Sequence, residues 1–427
     1  MDIKSRLWRP DNPAKGAILA ITLFLFLLSV IKSGYYTIAY GGTDLRSISI
    51  ASKMLDSGST AYFYRWSPGQ PEKYIDPNVP RTSVSNAVTV APGSLYFLSL
   101  FSSLPYLALR ITWTVVQYIL VLYILCFFYF QKSDSPDRRR VIAVVGVLFF
   151  LCTPIWFLNI ERGQIYVVFA FLFTLIYQLY GSSTSWKNFL AGVVIALAIY
   201  CRPNFAVLLI PMLVARNWNV LTGWLSATLV LAIHAYRNQG LWKGYFSVVN
   251  EFANIRRTQA PVDHIQYSYP PIIEGVKNLT KYKSDFVCGG IDSLSVLINH
   301  LIGPQRIYFY ICLLLLVMAT LVFIFKKQLV RADAADTLLF GFLLYVVAEC
   351  IMPTSRSAYN LILWIFPVLL FMQRPRLSNL MLVLLITGLF FINGAPFYFT
   401  FMNDIGEGLL ICALLYYLQF YSRSRLL

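Results

Sequence analysis

Apolar stretches long enough to cross a lipid bilayer recur from one end of this sequence to the other. The first begins at Gly16 and reads GAILAITLFLFLLSVIKSGYYTIA. A helix needs about 20 apolar residues to cross roughly 30 Å of hydrocarbon. The chain has 427 residues, 58% hydrophobic and 13% charged, so a soluble domain of this composition would lack the polar surface to cover itself. We predict an all-α polytopic membrane protein that forms one transmembrane domain over residues 1–427.

The apolar pattern predicts about 12 transmembrane helices with both termini in the cytoplasm. The predicted spans are 16–39, 108–130, 140–159, 163–180, 188–201, 204–216, 219–236, 306–325, 336–352, 360–372, 379–394 and 406–421. Two arrangements remain open around Pro203, because a proline either kinks one long helix or joins two short helices in a tight hairpin. No segment is typical of a removable signal peptide.

The basic residues indicate how the chain is oriented in the membrane. The formal net charge is +16, and the Lys and Arg residues cluster in short polar connections. By the positive-inside rule, these connections lie in the cytoplasm. The basic residues form no continuous stripe or nucleic-acid-binding module, so we expect membrane lipid, and no nucleic acid, as a partner.

Two long connections, 40–107 and 237–305, are then external. The first contains two amphipathic segments, 44–57 and 92–104, which we predict to be helices lying along the membrane surface. The sequence between them, residues 65–83, is rich in Pro, Ser and Gly and predicts an irregular loop. The second connection mixes basic and aromatic residues, and we interpret it as a cover over a polar cavity on the acceptor side.

An acid, Asp44, stands where the first apolar run ends, in the segment YGGTDLR. It has a structural explanation, because Thr43 is a suitable helix cap and the helix dipole favours an acid in the first turn. It also has a catalytic explanation, in which Asp44 accepts a proton from an acceptor hydroxyl while a lipid-borne donor is presented alongside. Gly41 and Gly42 would leave room for a bulky partner.

Two arginines stand close to apolar runs. Arg162 and Gln164 lie in NIERGQIYVV, where a charge needs water, a ligand or the neighbouring Glu161 as a partner. Arg202, in AIYCRPNFAV, has apolar sequence on both sides and no acid nearby along the chain. A phosphate would therefore serve as the counter-charge of Arg202.

A third arginine, Arg356, repeats this arrangement in CIMPTSRSAYNLILWIFP. Tyr359 and Asn360 follow it and are neutral hydrogen-bond partners for a substrate. We predict phosphate binding by Arg202, Arg356 and Arg162. Gln164, Tyr359 and Asn360 are the predicted substrate-binding residues.

Several other kinds of site lack their motifs. The sequence contains no GxSxG, HExxH, Walker loop or GxGxxG after a strand, and it has no Asp-x-Asp pair for a nucleotide-sugar metal site. Six of the seven cysteines fall in apolar runs, and the three histidines lack ligand spacing. We predict no cofactor and assign no metal-binding residues. Whether a divalent metal ion takes part in the reaction is left open.

The order of these features resembles the polyprenol-phosphate-mannose-dependent mannosyltransferases of the GT-C superfamily. The similarity extends over residues 16–375 and includes the early external acid, VAPGSLYFLSLFSSLP, Glu-Arg-Gly-Gln, IALAIYCRPNFAVLLIP and PTSRSAYNLILWIFP. The resemblance implies a GT-C-like bundle with a catalytic first external loop. It also implies a sugar donor linked through phosphate to a polyprenol and used on the external face.

The resemblance assigns roles to individual residues. It implies that Asp44 is the general base, and that Arg202 corresponds to the basic residue before proline, which is more often Lys in the family. The family's Gly-Gln element falls on Gly163 and Gln164. The family's Pro-Pro at the start of the surface helix is Ala91-Pro92 here. Direct displacement would invert the anomeric centre, with the arginines stabilising the departing phosphate.

Other functions remain open at this stage. The chain could be a polysaccharide polymerase, an O-antigen ligase, a lipid-linked glycan flippase or a non-catalytic partner of a transferase. Glu349 is the main charge inside a predicted span, and we assign it no role beyond pairing across helices. The acceptor is expected to be a glycolipid, a glycan or a protein. The absence of eukaryotic retention signals favours a bacterial inner membrane with a periplasmic site.

Overall fold

A computed structural model gives the fold of most of the chain. The residues that it describes are 13–39, 42–56, 62, 64–65, 69, 71–74, 85–86, 88–131, 136–182, 184–258, 298, 301–303, 305–352, 358–373, 377–394 and 400–420. In this part of the chain nearly all of the regular structure is helical. The first eight helices are α1 (Pro13–Ala39), α2 (Thr43–Asp56), α3 (Pro92–Ser99), α4 (Tyr106–Phe130), α5 (Pro136–Gly146), α6 (Pro154–Arg162), α7 (Tyr166–Tyr180) and α8 (Ser185–Cys201).

The second half begins with a 3₁₀ segment directly after α8. The elements in order are 3₁₀ Pro203–Leu208, α9 (Leu209–Val214), α10 (Trp218–Arg237), α11 (Gln239–Thr258), α12 (Ile307–Leu329), α13 (Ala334–Ile351), 3₁₀ Ala358–Trp364, α14 (Ile365–Met372), α15 (Asn379–Gly394) and α16 (Thr400–Phe420). All of the predicted spans fall on helical segments, but three of them, 140–159, 204–216 and 360–372, each cover more than one element.

Fewer of these helices are long and apolar enough to cross a membrane. Among the described residues, five qualify: Gly16–Ala39, Tyr106–Phe130, Trp218–Arg237, Ile307–Leu329 and Ala334–Ile351. A sixth span results if Arg138–Leu151 and Pro154–Arg162, which are bent by 55°, count as one. The remaining apolar helices are shorter, so the predicted total of about 12 spans is not confirmed. The chain is nevertheless a polytopic, helical membrane protein.

The connection over residues 40–107 contains both predicted helices, although the second is shorter than expected. Leu45, Ile48 and Ala51 of α2 are buried, as their spacing predicted, and α2 packs against α3. The described residues between these helices include a short antiparallel pair, β1 (Tyr64–Arg65) with β2 (Ser85–Asn86), which the sequence did not predict. That the helices lie along the membrane surface stays a prediction.

The second connection begins with a helix that was not predicted from the sequence. After one non-helical residue, Asn238, the chain forms α11. Leu241, Tyr245 and Val248 recur at helical spacing and pack against the core. The sequence analysis did not predict this helix, the role of the connection as a cover stays a prediction, and residues 259–297 lie outside the described part.

The segment after Pro203 returns the chain between two parallel helices. At one end of α8, Phe189 lies against Gly223 of α10, and at the other end Tyr200 Oη is 2.7 Å from His234 Nδ1. In each pair the two residues are 34 positions apart in the sequence. Moving along α8 therefore means moving the same distance and in the same direction along α10, so the two helices are parallel. Residues 203–214 must therefore lead back to the start of α10. Of the two arrangements left open, the tight hairpin is the observed one.

Among the five helices long enough to cross a membrane in the described part of the chain, α13 is the most buried and lies at the centre of the bundle. Over its span 83% of the residues are buried, compared with 11% for α12. Because α12 exposes apolar side chains almost all round, we interpret its surface as lipid-facing. The last turns of α13 carry Glu349, so the central helix ends at the functional site described below.

Candidate active site

Asp44 lies in the first turn of α2 and is held by two side chains from another part of the chain. Arg162 Nη1 is 3.1 Å from Asp44 Oδ2 and 3.3 Å from Oδ1, and the Gln164 amide donates a hydrogen bond to Oδ2. The Asp44 side chain is 28% exposed. The carboxylate is thus oriented by a cation and an amide while one side stays accessible.

A left-handed glycine brings Arg162 and Gln164 to Asp44. The helix α6 ends at Arg162, and Gly163 follows with φ of 68°, so that its N–H bonds the Ile160 oxygen at 3.1 Å. A Cβ atom at this glycine would lie 2.5 Å from Leu45 Cβ. Gly163 therefore satisfies the helix end and also lets α2 approach closely.

Arg202 is paired with a buried acid from the centre of the bundle. Its Nη2 lies 2.8 Å from Glu349 Oε2, and its Nη1 donates to Tyr166 Oη at 2.6 Å. Asn204 Nδ2 donates to the other oxygen of Glu349 at 2.6 Å, and the Glu349 side chain is only 2% exposed. No acid lies near Arg202 along the chain, and the acid that compensates it, Glu349, is distant in sequence and close in space.

Aromatic rings connect the two charged groups. The Tyr166 ring lies 5.3 Å from the Tyr359 ring, centroid to centroid, and the Arg162 guanidinium carbon lies 6.0 Å from the Tyr359 centroid. Arg202 also stacks over Tyr166, at 4.7 Å from its centroid. The contacts therefore continue from Asp44 through Arg162, Tyr359 and Tyr166 to Arg202. Five residues that are scattered along the chain form one polar site.

Two other predicted residues are less well placed by the structure. Asn360 is buried, and both polar atoms of its side chain lack a hydrogen-bond partner among the described residues. Arg356 lies outside the described part of the chain, so its position stays a prediction. Within the described part, no group of three His, Cys, Asp or Glu residues is arranged to hold a metal ion.

The sequence analysis gave no chemical role to Glu349 and did not single out Tyr166. The available signal for Glu349 was an acid inside an apolar run, which requires a partner. Tyr166 lies two residues after Gln164, at the start of an apolar helix. Tyrosines are common at such positions, so the sequence offered no reason to select this one as a site residue. Both residues contact Arg202 and belong to the site.

The helices and this polar site define an integral membrane protein with groups suited to acid–base chemistry. Its sequence matches the model of Glycosyltransferase family 87 over residues 90–353, which is more than half of the chain. The chain belongs to this family and is a membrane glycosyltransferase. The match includes Arg162, Gln164, Arg202 and Glu349, whereas Asp44 precedes it. No curated protein and no solved structure matched the sequence.

Proposed function

We propose that this glycosyltransferase moves a mannose-like hexose or a pentose from a polyprenyl-phosphate donor to an acceptor hydroxyl on the external face of the membrane. The acceptor is a lipid, a glycan or a protein. This proposal joins the family assignment to the GT-C resemblance of the sequence. The observation that carries it is the accessible Asp44 carboxylate, held by Arg162 and Gln164 and linked by contacts to Arg202.

Asp44 acts as the general base in this proposal. The acceptor oxygen attacks the anomeric carbon, its proton passes to Asp44, and the bond from that carbon to the phosphate oxygen breaks on the opposite face. The sugar is transferred with inversion, and the polyprenyl phosphate leaves with the bonding electron pair. The Gln164 amide and the Arg162 guanidinium fix the direction of the carboxylate, which is the geometric requirement for general base catalysis.

The arginines stabilise the phosphate leaving group. Charge develops on the phosphate as the glycosidic bond breaks, and preorganised cations lower the energy of that state. Glu349 neutralises Arg202 in the structure, so the phosphate shares this guanidinium with Glu349 or draws on Arg162 and Arg356. Asp44 and Arg202 are linked through Arg162, Tyr359 and Tyr166, so the proposed base and the proposed phosphate-binding cation belong to one continuous set of contacts.

A transfer assay with the purified full-length protein tests this function. The protein is incubated with a panel of labelled polyprenyl-phosphate sugars and total membrane lipids, and labelled products are separated. We expect transfer from one donor of the panel, and loss of transfer in Asp44→Asn by about 100-fold or more. The matched control is Glu72→Gln, because Glu72 is an exposed acid in the same connection.

Three results would contradict the proposal. Activity near wild type in folded, membrane-inserted Asp44→Asn would remove the general base. Transport of an intact lipid-linked glycan without any transfer of label would support a flippase instead. Cysteine labelling that places residues 42–56 in the cytosol would also exclude an external site.

A further inference from the structure

A buried guanidinium lies behind the segments that carry the candidate site. Arg110 of α4 is 1% exposed; its Nη1 donates to the Ile160 oxygen at 3.0 Å and its Nη2 to the Tyr36 oxygen at 3.2 Å. These oxygens are in the last turns of α6 and α1, where carbonyls lack helical partners and the helix dipole favours a cation. Glu161 also interacts electrostatically with Arg110. The buried charge is thus compensated from several sides.

One nitrogen of Arg110 is close to both glycines that flank the site. A Cβ atom at Gly42 would lie 2.7 Å from Nη1, and a Cβ atom at Gly163 would lie 3.1 Å from the same nitrogen. Both glycines have positive φ, 62° and 68°. Gly42 comes two residues before Asp44, and Gly163 comes directly before Gln164. The guanidinium therefore fills the space between the turn that leads to the base and the turn that holds it.

Two further donors lie on the same face of α4. The Tyr106 hydroxyl donates to the Gly42 oxygen at 3.1 Å, and Trp113 Nε1 donates to the Gln164 oxygen at 3.2 Å. Positions 106, 110 and 113 are spaced by four and three residues, which places them on one side of a helix. One face of α4 therefore donates hydrogen bonds to the backbone before Asp44, at Gly42, and to the backbone of Gln164, the residue that contacts Asp44.

We propose that Arg110 is a positioning residue for the transfer reaction. Together with Tyr106 and Trp113 it sets the separation of the two turns, and so it keeps the Asp44 carboxylate in reach of the acceptor hydroxyl. The role of Arg110 in sugar transfer rests on the proposed function. Its role in fixing the positions of the two turns does not depend on that function. A displacement of about 1 Å at a reacting group reduces the rate by about 100-fold. Donor binding through Arg202 does not depend on this separation.

Amide hydrogen exchange of the full-length protein in lipid nanodiscs tests the hold on the turns without any substrate. Arg110→Lys keeps the charge but loses the two-nitrogen fork, and Tyr106→Phe removes only the bond to Gly42. We expect exchange to rise by about tenfold in residues 44–47 and 160–165 of Arg110→Lys and in residues 44–47 of Tyr106→Phe, with little change in α12. The control is Lys326→Met, which removes an exposed cation. Unchanged protection of both turns in both variants would overturn the proposal.

A kinetic comparison with radiolabelled polyprenyl-phosphate mannose then tests the positioning role. We expect kcat to fall by about tenfold in Arg110→Lys and about 100-fold in Arg110→Met, while the donor KM stays within about twofold. The positioning role would be overturned if donor KM rose by the same factor as kcat fell. It would also be overturned if the fall in kcat were fully explained by a smaller fraction of folded protein. If the wild-type protein transfers no sugar from any donor of the panel described above, the proposed function fails, and the exchange experiment still decides whether Arg110 holds the two turns.

Discussion

Removal of both partners of the Arg202–Glu349 pair should destabilise the protein by less than the sum of the two single removals. At 2.8 Å and an effective dielectric constant of about 20, the attraction of the two charges amounts to roughly 6 kcal/mol. Desolvation opposes this attraction by several kcal/mol per ion, so the intact pair contributes little net stability. A single removal, however, leaves one buried charge without its counter-charge. We expect Arg202→Met and Glu349→Gln each to lower the free energy of unfolding by about 3–5 kcal/mol.

The double variant Arg202→Met/Glu349→Gln removes both charges at once. We expect it to be more stable than the sum of the two single effects predicts, with a coupling of about 2 kcal/mol or more. Unfolding in mixed SDS micelles, followed by tryptophan fluorescence, gives the free energies. Lys326→Met is the control and should change them by less than about 0.5 kcal/mol. Single effects that add within about 0.5 kcal/mol would refute the reasoning.

The same double variant separates the structural role of Arg202 from its proposed role with phosphate. If Arg202 binds the donor phosphate, the folded double variant should show a donor KM raised by about tenfold or more, with a smaller effect on the acceptor KM. Equal effects on both substrates, or none, would leave Arg202 with the structural role alone.

Two further predictions concern glycines at close contacts. Gly163→Ala should abolish more than about 90% of transfer activity and lower the melting temperature, because alanine is strained at φ of 68° and its Cβ would meet Leu45. Its control is Gly240→Ala, which has open space around it and should keep wild-type activity and melting temperature. Gly192→Ala should lower the melting temperature, since its Cβ would lie 2.0 Å from a backbone oxygen of α10, whereas Gly34→Ala should not. Melting curves in one detergent check both, and an unchanged Gly163→Ala or Gly192→Ala variant would contradict the contact that each tests.

The helices could be predicted from the sequence because the bilayer allows few alternatives. A long apolar run that must satisfy its own backbone becomes a helix, so α1, α4 and α12 were found nearly to the residue. Helix α11 was missed because its basic and aromatic residues obscured a helical spacing of apolar positions. The number of true spans depends on length and packing, which hydropathy alone does not determine.

The site could be predicted only as separate residues. Asp44 and Arg162 are 118 positions apart, and Arg202 and Glu349 are 147 positions apart. No periodic pattern connects residues at such distances, because their pairing follows from how whole helices pack. Single charges near apolar runs therefore indicated where partners were needed, and the fold determined which partners they have.

The return segment between the parallel helices α8 and α10 also sets a depth in the bilayer. Six 3₁₀ residues at about 2.0 Å each and six α-helical residues at about 1.5 Å each extend roughly 21 Å, about 9 Å less than the hydrocarbon thickness. The end near Arg216 and the exposed Trp218 is typical of an interface, so the Arg202 end is the one that stops short. If Arg202 binds the donor phosphate as proposed, that phosphate lies below the surrounding headgroups, and the bilayer would have to thin locally or open a water-filled recess to admit it.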